Sequence, residues 1–243
     1  MVRAAAKNYN DVTVITSVDH YSGLINELKK NKGSTSLKFR EKMSRLAFGE
    51  TAYYDAVISN YFNKFNNINF PKRKILYTNL IENLRYGENP HQIGAFYSQN
   101  MKNKLEQLHG KTLSYNNYSD IFAALTISKS LPKNTGTAIV KHGNPCGVSA
   151  LKNNLDSYKS ALESDPISAF GGIISCNYKI TQKLALILNK IFLEVIVADG
   201  FEKKALKILK SKKNLRLIDS SKITFNEIWR FNSCLLYTSP SPR

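Results

Sequence analysis

Apolar positions early in the chain repeat in steps of three and four. Phe39, Met43, Leu46, Ala47, Tyr54, Val57, Ile58 and Tyr61 share one helical face, and Gly33, Ser34 and Ser36 break the segment before them. The spacing predicts one long helix, with Gly49 a point where it can bend. Upstream, residues 12–18 (VTVITSV) are mostly β-branched and predict a buried strand. Residues 60–74, rich in Asn and Lys and holding Pro71, read as a linker between two domains. Residues 75–81 predict a strand, and 85–92 (RYGENPHQ), interrupted by Gly87 and Pro90, a loop. The order then alternates. Residues 119–131 predict a helix with Ser119 as N-cap, 137–142 a strand, 156–164 a helix and 172–175 a strand. Residues 181–192 predict a helix, 194–198 a strand, 201–210 a helix and 215–218 a strand. Such alternation predicts an α/β layered sheet. No internal repeat is visible.

Composition narrows the class. With 243 residues and 42% hydrophobic content the chain can bury a proper core, as one large domain or parts of two. Its net charge of +17 raises the question of a nucleic-acid partner. Only eight of the 35 basic residues are Arg, and the Lys are scattered through helical stretches. That pattern fits solvated faces first and acidic small-molecule substrates second. Nucleic-acid binding would call for clustered Arg with interleaved aromatics, so no nucleic-acid partner is expected. Three widely spaced Cys argue for a reducing compartment. No apolar run approaches the roughly 18–20 residues that span a bilayer, and MVRAAAKN has no signal-peptide core. The expectation is a soluble cytoplasmic protein without a membrane partner.

Three loops carry the candidate chemistry, and the carboxyl ends of strands in such a sheet are expected to bring them to one edge. In 138–148 (AIVKHGNPCGV) an apolar run delivers Lys141 and His142, after which Gly143, Asn144, Pro145 and Gly147 predict a sharp turn. His142 can move a proton near neutral pH. Lys141 can hold charge on a developing oxyanion. Neighbours in a strand point to opposite faces, so both face one ligand only if the strand is ending there. A polar strand terminus is the plainer reading. A zinc site is not expected, because deaminase-type zinc needs Glu two residues after the His and a Pro-Cys-x-x-Cys run. Asn144 stands at that position, and Cys146 is followed by Gly147, Val148 and Ser149. In RYGENPHQ, Arg85 offers a donor fork for phosphate or carboxylate, Tyr86 a stacking face, and His91 and Gln92 polar contacts. A structural turn is the alternative. In 165–172 (DPISAFGG), Gly171 and Gly172 permit close backbone approach and Phe170 can wall a pocket. Glu194 can bind an amide or hydroxyl, or simply be solvated.

Taken together, LRYGENPHQ, GKTLSYNNYS (110–119), VKHGNPCGV and DPISAFGG, in that order, closely resemble the bifunctional purine-biosynthesis family. That family joins aminoimidazole carboxamide ribonucleotide (AICAR) formyltransferase to inosine monophosphate (IMP) cyclohydrolase. RAAAKN, VTVITSV and TAYYDAVISNYF resemble the end of its cyclohydrolase domain, and the likeness runs from about residue 2 to about residue 231. The resemblance implies formyl transfer from formyl-tetrahydrofolate to AICAR, then ring closure to IMP, without a metal. It implies Lys141 and His142 as the catalytic pair. It further implies Arg85, Tyr86, Gly171 and Glu194 as nucleotide contacts, and Lys7 as a cyclohydrolase-site lysine.

The implied fold is α/β: a three-layer α/β/α cytidine-deaminase-like subdomain preceded by the C-terminal remnant of a methylglyoxal-synthase-like α/β domain. Residues 1–64 would be that remnant, 65–74 the linker, and 75–231 the first part of the formyltransferase domain. Residues 232–243, which include CLLYTSPSPR (234–243) with Pro240 and Pro242, would be a disordered, non-native tail. The family is expected to act as a homodimer. The chain reads as an internal fragment of its open reading frame, expected to catalyse neither step alone.

Overall fold

The computed structural model describes residues 1–99 and 105–223. The expected tail at 232–243 lies outside the described residues. The chain divides into two compact units, Met1–Thr78 and the remainder from Asn79.

The first unit is helical. It comprises α1 (Val2–Lys7), a short 3-10 turn (Val18–His20), α2 (Tyr21–Lys30) and α3 (Leu37–Phe65). The three- and four-residue spacing does build one long helix, unbroken at Gly49. Ser36 caps it, accepting from the Phe39 N–H, and Ser36 is held in turn by Glu27. The strand expected at 12–18 does not form. Residues 12–17 pair with no strand among the described residues, Val18 already opens the 3-10 turn, and Val12 and Val18 are exposed while Val14 is buried with Ala6 and Ala47. β-branched residues favour extended backbone, but a strand also needs a neighbour to take its N–H and C=O groups. Just before this stretch, the Arg40 guanidinium donates to the carbonyls of Tyr9 and Asn10, and also to that of Thr35, tying the start of the segment to α3.

The second unit opens with a hairpin, β1 (Asn79–Leu84) against β2 (Gly94–Ser98), so the expected strand at 75–81 is shifted toward Leu84. The loop 85–92 joins the two. There follow β3 (Glu106–His109), α4 (Tyr115–Ser130), β4 (Gly136–Lys141), β5 (Asn144–Ala150), α5 (Asn154–Ser164) and β6 (Ile173–Cys176). Then come α6 (Gln182–Leu188), β7 (Val195–Ala198), α7 (Lys203–Leu209) and β8 (Arg216–Asp219). Six of the strands make one mixed sheet in the order β3-β8-β7-β6-β4-β5. β6, β7 and β8 are parallel to one another, while β4 runs antiparallel to β6 and β3 antiparallel to β8. The α/β class stands.

Alternation along these strands fills two cores. Ile139, Ile174, Ile196, Ala198 and Leu217 pack with Tyr158, Ala161, Leu184, Leu188 and Leu209 of α5, α6 and α7. Val140, Ile173, Val195, Val197 and Ile218 pack on the other side with Tyr118, Ile121, Ala124 and Leu125 of α4.

Two local expectations are corrected. α4 starts earlier than expected, and its N-cap is Ser114, not Ser119. The Ser114 hydroxyl accepts from Asn117 N–H while Asn117 Oδ1 accepts from Ser114 N–H, a capping box that satisfies two donors at once. The sharp turn expected across residues 143–147 is confined to His142 and Gly143. From Asn144 the chain is already β5, an edge strand where Pro145 needs no donor. Gly147 is needed there: a Cβ on it would sit 1.8 Å from the Ala161 carbonyl oxygen of α5.

That approach predicts opposite outcomes for two glycine substitutions followed by urea denaturation. Gly147→Ala lowers the unfolding free energy of its unit by about 3 kcal/mol or more, through overpacking against backbone that cannot yield. Gly49→Ala, in open space inside α3, raises that of its unit by about 0.5–1 kcal/mol. A neutral Gly147→Ala would mean that β5 and α5 do not pack this closely.

Candidate functional site

The register of the sheet lines up Val140, Ile173, Val195 and Arg216 across four adjacent strands. One residue outward from the first three stand Lys141, Gly172 and Glu194. Sequence-distant residues therefore meet at one edge, but not at the edge the parallel-sheet rule suggests. Because β4 runs antiparallel, its carboxyl end lies beside the amino ends of β6, β7 and β8. Two of the three expected loops, 138–148 and 165–172, meet here, and the expected polarity is reversed.

Backbone bonds stitch this edge together. Gly171, at φ +73°, donates its N–H to Phe192 O at 2.9 Å. Glu194 N–H reaches Gly172 O at 3.1 Å, and Arg216 N–H reaches Glu194 O at 3.1 Å. β4 ends at Lys141, and its side chain reaches the 165–172 loop, where Nζ donates to Phe170 O at 2.9 Å. His142 follows in the left-handed region at φ 53° with Gly143 at φ 73°, a two-residue hairpin turn. The turn ends the alternation of the strand, and the His142 side chain is exposed. Asp120, on α4, accepts from Gly143 N–H at 2.6 Å and from His142 N–H at 3.3 Å.

Glu194 is 46% exposed and held from two directions. Asn117 Nδ2 donates to its Oε2 at 3.0 Å, and Arg216 Nη1 lies 3.8 Å from the same oxygen. Among the described residues, both of these partners lie on Oε2 and no hydrogen bond reaches Oε1. Arg216, only 15% exposed, also donates from Nε to Thr112 O at 3.3 Å. Beside Glu194 opens a cleft of about 490 Å³ whose wall includes Lys111, Phe192, Lys213 and Arg216. In the 165–172 loop, the side chain and backbone N–H of Ser168 hold the Asp165 carboxyl below its usual range. Phe170 and Phe192 pack with ring centroids 5.3 Å apart.

Arg85 and Tyr86 lie in the β1–β2 loop, with the Arg85 guanidinium 5.9 Å from the centre of the Tyr86 ring. Gln92 braces this loop rather than standing free: Gly87 N–H reaches Gln92 O at 2.8 Å, and Asn89 N–H reaches Gln92 Oε1 at 2.9 Å. The loop touches the start of α4, where Asn116 Nδ2 is 3.5 Å from Glu88 O. Lys7 belongs to the first unit, at the exposed end of α1, beside a shallow cleft with Arg3 and Thr51. Asn117, Asp120, Lys111 and Arg216 are the site residues that sequence reasoning missed. The three-residue spacing of Asn117 and Asp120, which sets both on one side of a helix, was the available signal. Among the described residues no group of three or more His, Cys, Asp or Glu side chains could hold a metal ion. No helix among them is long and apolar enough to cross a membrane.

Residues 5–237 match the family profile described as AICARFT/IMPCHase bienzyme. The chain is 45% identical over 222 residues to a protein of a Thermoanaerobacter species named bifunctional purine biosynthesis protein PurH. That alignment covers 90% of the chain and 43% of the relative. Proteins of the same name from Acetivibrio thermocellus and Bradyrhizobium diazoefficiens are each 44% identical, over 92% and 90% of the chain and 44% and 42% of their own lengths. The chain thus spans less than half the length of these relatives.

Thiol chemistry reports on the site's surroundings. Burial, and then the nearby Asp165 carboxylate, push the Cys146 thiol up, against the pull of Lys141. Burial pushes the Cys176 thiol up to about 12. A raised pKa leaves less thiolate at a given pH. Iodoacetamide at pH 7.5 therefore labels Cys146 more slowly than a free thiol and leaves Cys176 unlabelled in the folded chain. Asp165→Asn speeds Cys146 labelling. Mass spectrometry of the labelled peptides reads both, and fast labelling of Cys146 would contradict the shielded, acidic surroundings described.

Proposed function

The chain belongs to the AICARFT/IMPCHase bienzyme family, and from that premise we propose that it carries part of the site that moves a formyl group from formyl-tetrahydrofolate to AICAR. Ring closure to IMP follows, as the second activity of the whole protein. The observation that carries this reading is the meeting of Lys141, His142, Gly171 and Glu194 along one sheet edge.

The AICAR amine is a weak nucleophile, because its lone pair is delocalised into the ring. As it attacks the formyl carbon, a C–N bond forms and the amine must lose a proton. His142 takes that proton. The formyl oxygen gathers negative charge, which the Lys141 ammonium stabilises. Collapse of the intermediate breaks the bond between formyl carbon and folate nitrogen, and the proton held by His142 is available to the leaving folate. Arg85 and Tyr86 bind the nucleotide by donor fork and stacking. Gly171 contributes a backbone contact, and the Glu194 carboxylate takes a donor from the substrate. Lys7 serves the cyclohydrolase site. The bond-making steps need no metal.

The finer architecture follows the same reading. Residues 75–231, which hold most of the second unit, are proposed as the first part of a three-layer, cytidine-deaminase-like formyltransferase domain. Residues 1–64 are proposed as the end of a methylglyoxal-synthase-like cyclohydrolase domain, with 65–74 as linker. The working protein is proposed to be a cytoplasmic homodimer.

The test compares this chain with a longer polypeptide that also carries the segments its relatives possess beyond it. In the longer one, His142→Ala and Lys141→Ala lower kcat for formyl transfer by about 100- to 10,000-fold. Arg85→Ala mainly raises KM for AICAR. Full activity in His142→Ala would sink the assignment. Saturable AICAR binding without formyl transfer in either polypeptide would favour a nucleotide-binding module instead.

A further inference from the structure

α4 turns two polar side chains toward the site, one helical turn apart. Asn117, buried, bonds Glu194. Asp120, half-buried, bonds the His142–Gly143 turn, with Oδ2 taking the His142 N–H and Oδ1 the Gly143 N–H. The two contacts fall on different strand ends, so a single helix braces both parts of the site edge. The helix is itself fixed, since Ile121, Ala124 and Leu125 are fully buried against the sheet.

The turn needs such a brace. His142 holds a left-handed backbone, φ 53°, that a side chain with a Cβ disfavours. The two N–H groups of the turn both meet one carboxylate, and turns that present successive N–H groups suit an anion. Asp120 supplies the anion from within the chain. The neighbouring charges are engaged elsewhere: Lys141 with Phe170 O, and Asp165 with Ser168. Among the described residues, the turn is also held by the Lys141–Asn144 pair of the hairpin and by Asn144 Nδ2, which donates to His142 O at 3.0 Å.

We propose that Asp120 is a positioning residue: its carboxylate fixes the left-handed His142–Gly143 turn and so the direction in which the His142 imidazole leaves β4. The functional consequence rests on the reading of His142 as the proton acceptor. Asp120 touches neither substrate in this account and acts only through the turn.

The experiment uses the full 243-residue chain and amide-resolved NMR, with wild type, Asp120→Asn and Asp120→Ala. In Asp120→Ala, hydrogen exchange at the Gly143 amide accelerates by about 10- to 100-fold, the loss expected for a bond to a charged acceptor. The HN–Hα coupling of His142 also departs from its left-handed value. Asp120→Asn keeps one acceptor oxygen and retains part of the protection. In the longer polypeptide, Asp120→Ala lowers kcat while KM for AICAR stays within about twofold, and Asp120→Asn recovers part of the rate. A merely structural role would not produce that split with partial rescue. If Asp120→Ala does not fold, the near-isosteric Asp120→Asn carries both measurements. Unchanged exchange and coupling, or a loosened turn with unchanged kcat, overturns the proposal. Failure of the site reading looks different: His142→Ala would then keep its activity while the amides of the turn remain bonded to Asp120.

Discussion

Two-sided burial of very short strands governs this structure. β6 and β7 are four residues long, and all eight of those residues are buried. Alternate residues feed opposite cores, Ile174 and Ile196 into one, Ile173 and Val195 into the other. A slip of one residue would exchange the two sets and put each side chain against the wrong helices. The register is therefore fixed by packing. With it is fixed which residue of each strand comes last before the edge, and hence the neighbourhood of Lys141, Gly172 and Glu194.

The opposite end of the same sheet is built on another principle. There Thr137, Ser157 and Tyr178 share hydrogen bonds in the core, and Ser128 pairs with Ser175. Asn177 takes the Gly136 N–H and donates to the Ser128 carbonyl, closing the far end of α4 onto β4. Buried polar groups satisfied among themselves are costly to rearrange, which makes this end stiff. Burial drives the Tyr178 hydroxyl above its ordinary range, in keeping with a neutral, structural group. The charged groups at this end are paired as well: Lys129 Nζ lies 2.5 Å from Asp199 Oδ1, which also accepts from the Ser220 hydroxyl.

Sequence patterns served best where one force acted alone. The VIVA run of β7 is set by burial and was legible, whereas the three- and four-residue spacing of α3 marked a helix of whose predicted face only Met43 and Ala47 are buried, with Tyr54, Ile58 and Tyr61 exposed. Positions decided by a partner were not. VTVITSV carries strand composition without a ladder. Ser119 has the chemistry of a cap, but Ser114 has Asn117 three residues on to complete the box. NPCGV reads as a turn because Pro and Gly usually mean one. An edge strand tolerates Pro145, and close packing on α5 calls for Gly147. Lys141, His142, Gly171 and Glu194 stood out through their strings, whereas Asp120 looked like any helix-surface carboxylate until the fold brought two amides to it. Strand direction was hidden most deeply, since nothing in the residues of β4 states which way it runs against β6.

The edge strand has a further consequence. β5 presents its outer side to whatever meets it, and an open edge is ordinarily a template on which another chain can assemble. Pro145 removes a donor from that row, and the register break between Ile139 and Val140 distorts the pairing beside it. An incoming strand would meet a gap in its ladder within two residues of the hairpin turn. The same proline that disguises β5 in the sequence thus guards the sheet against open-ended growth, so solubility and site geometry are set in one short stretch of chain.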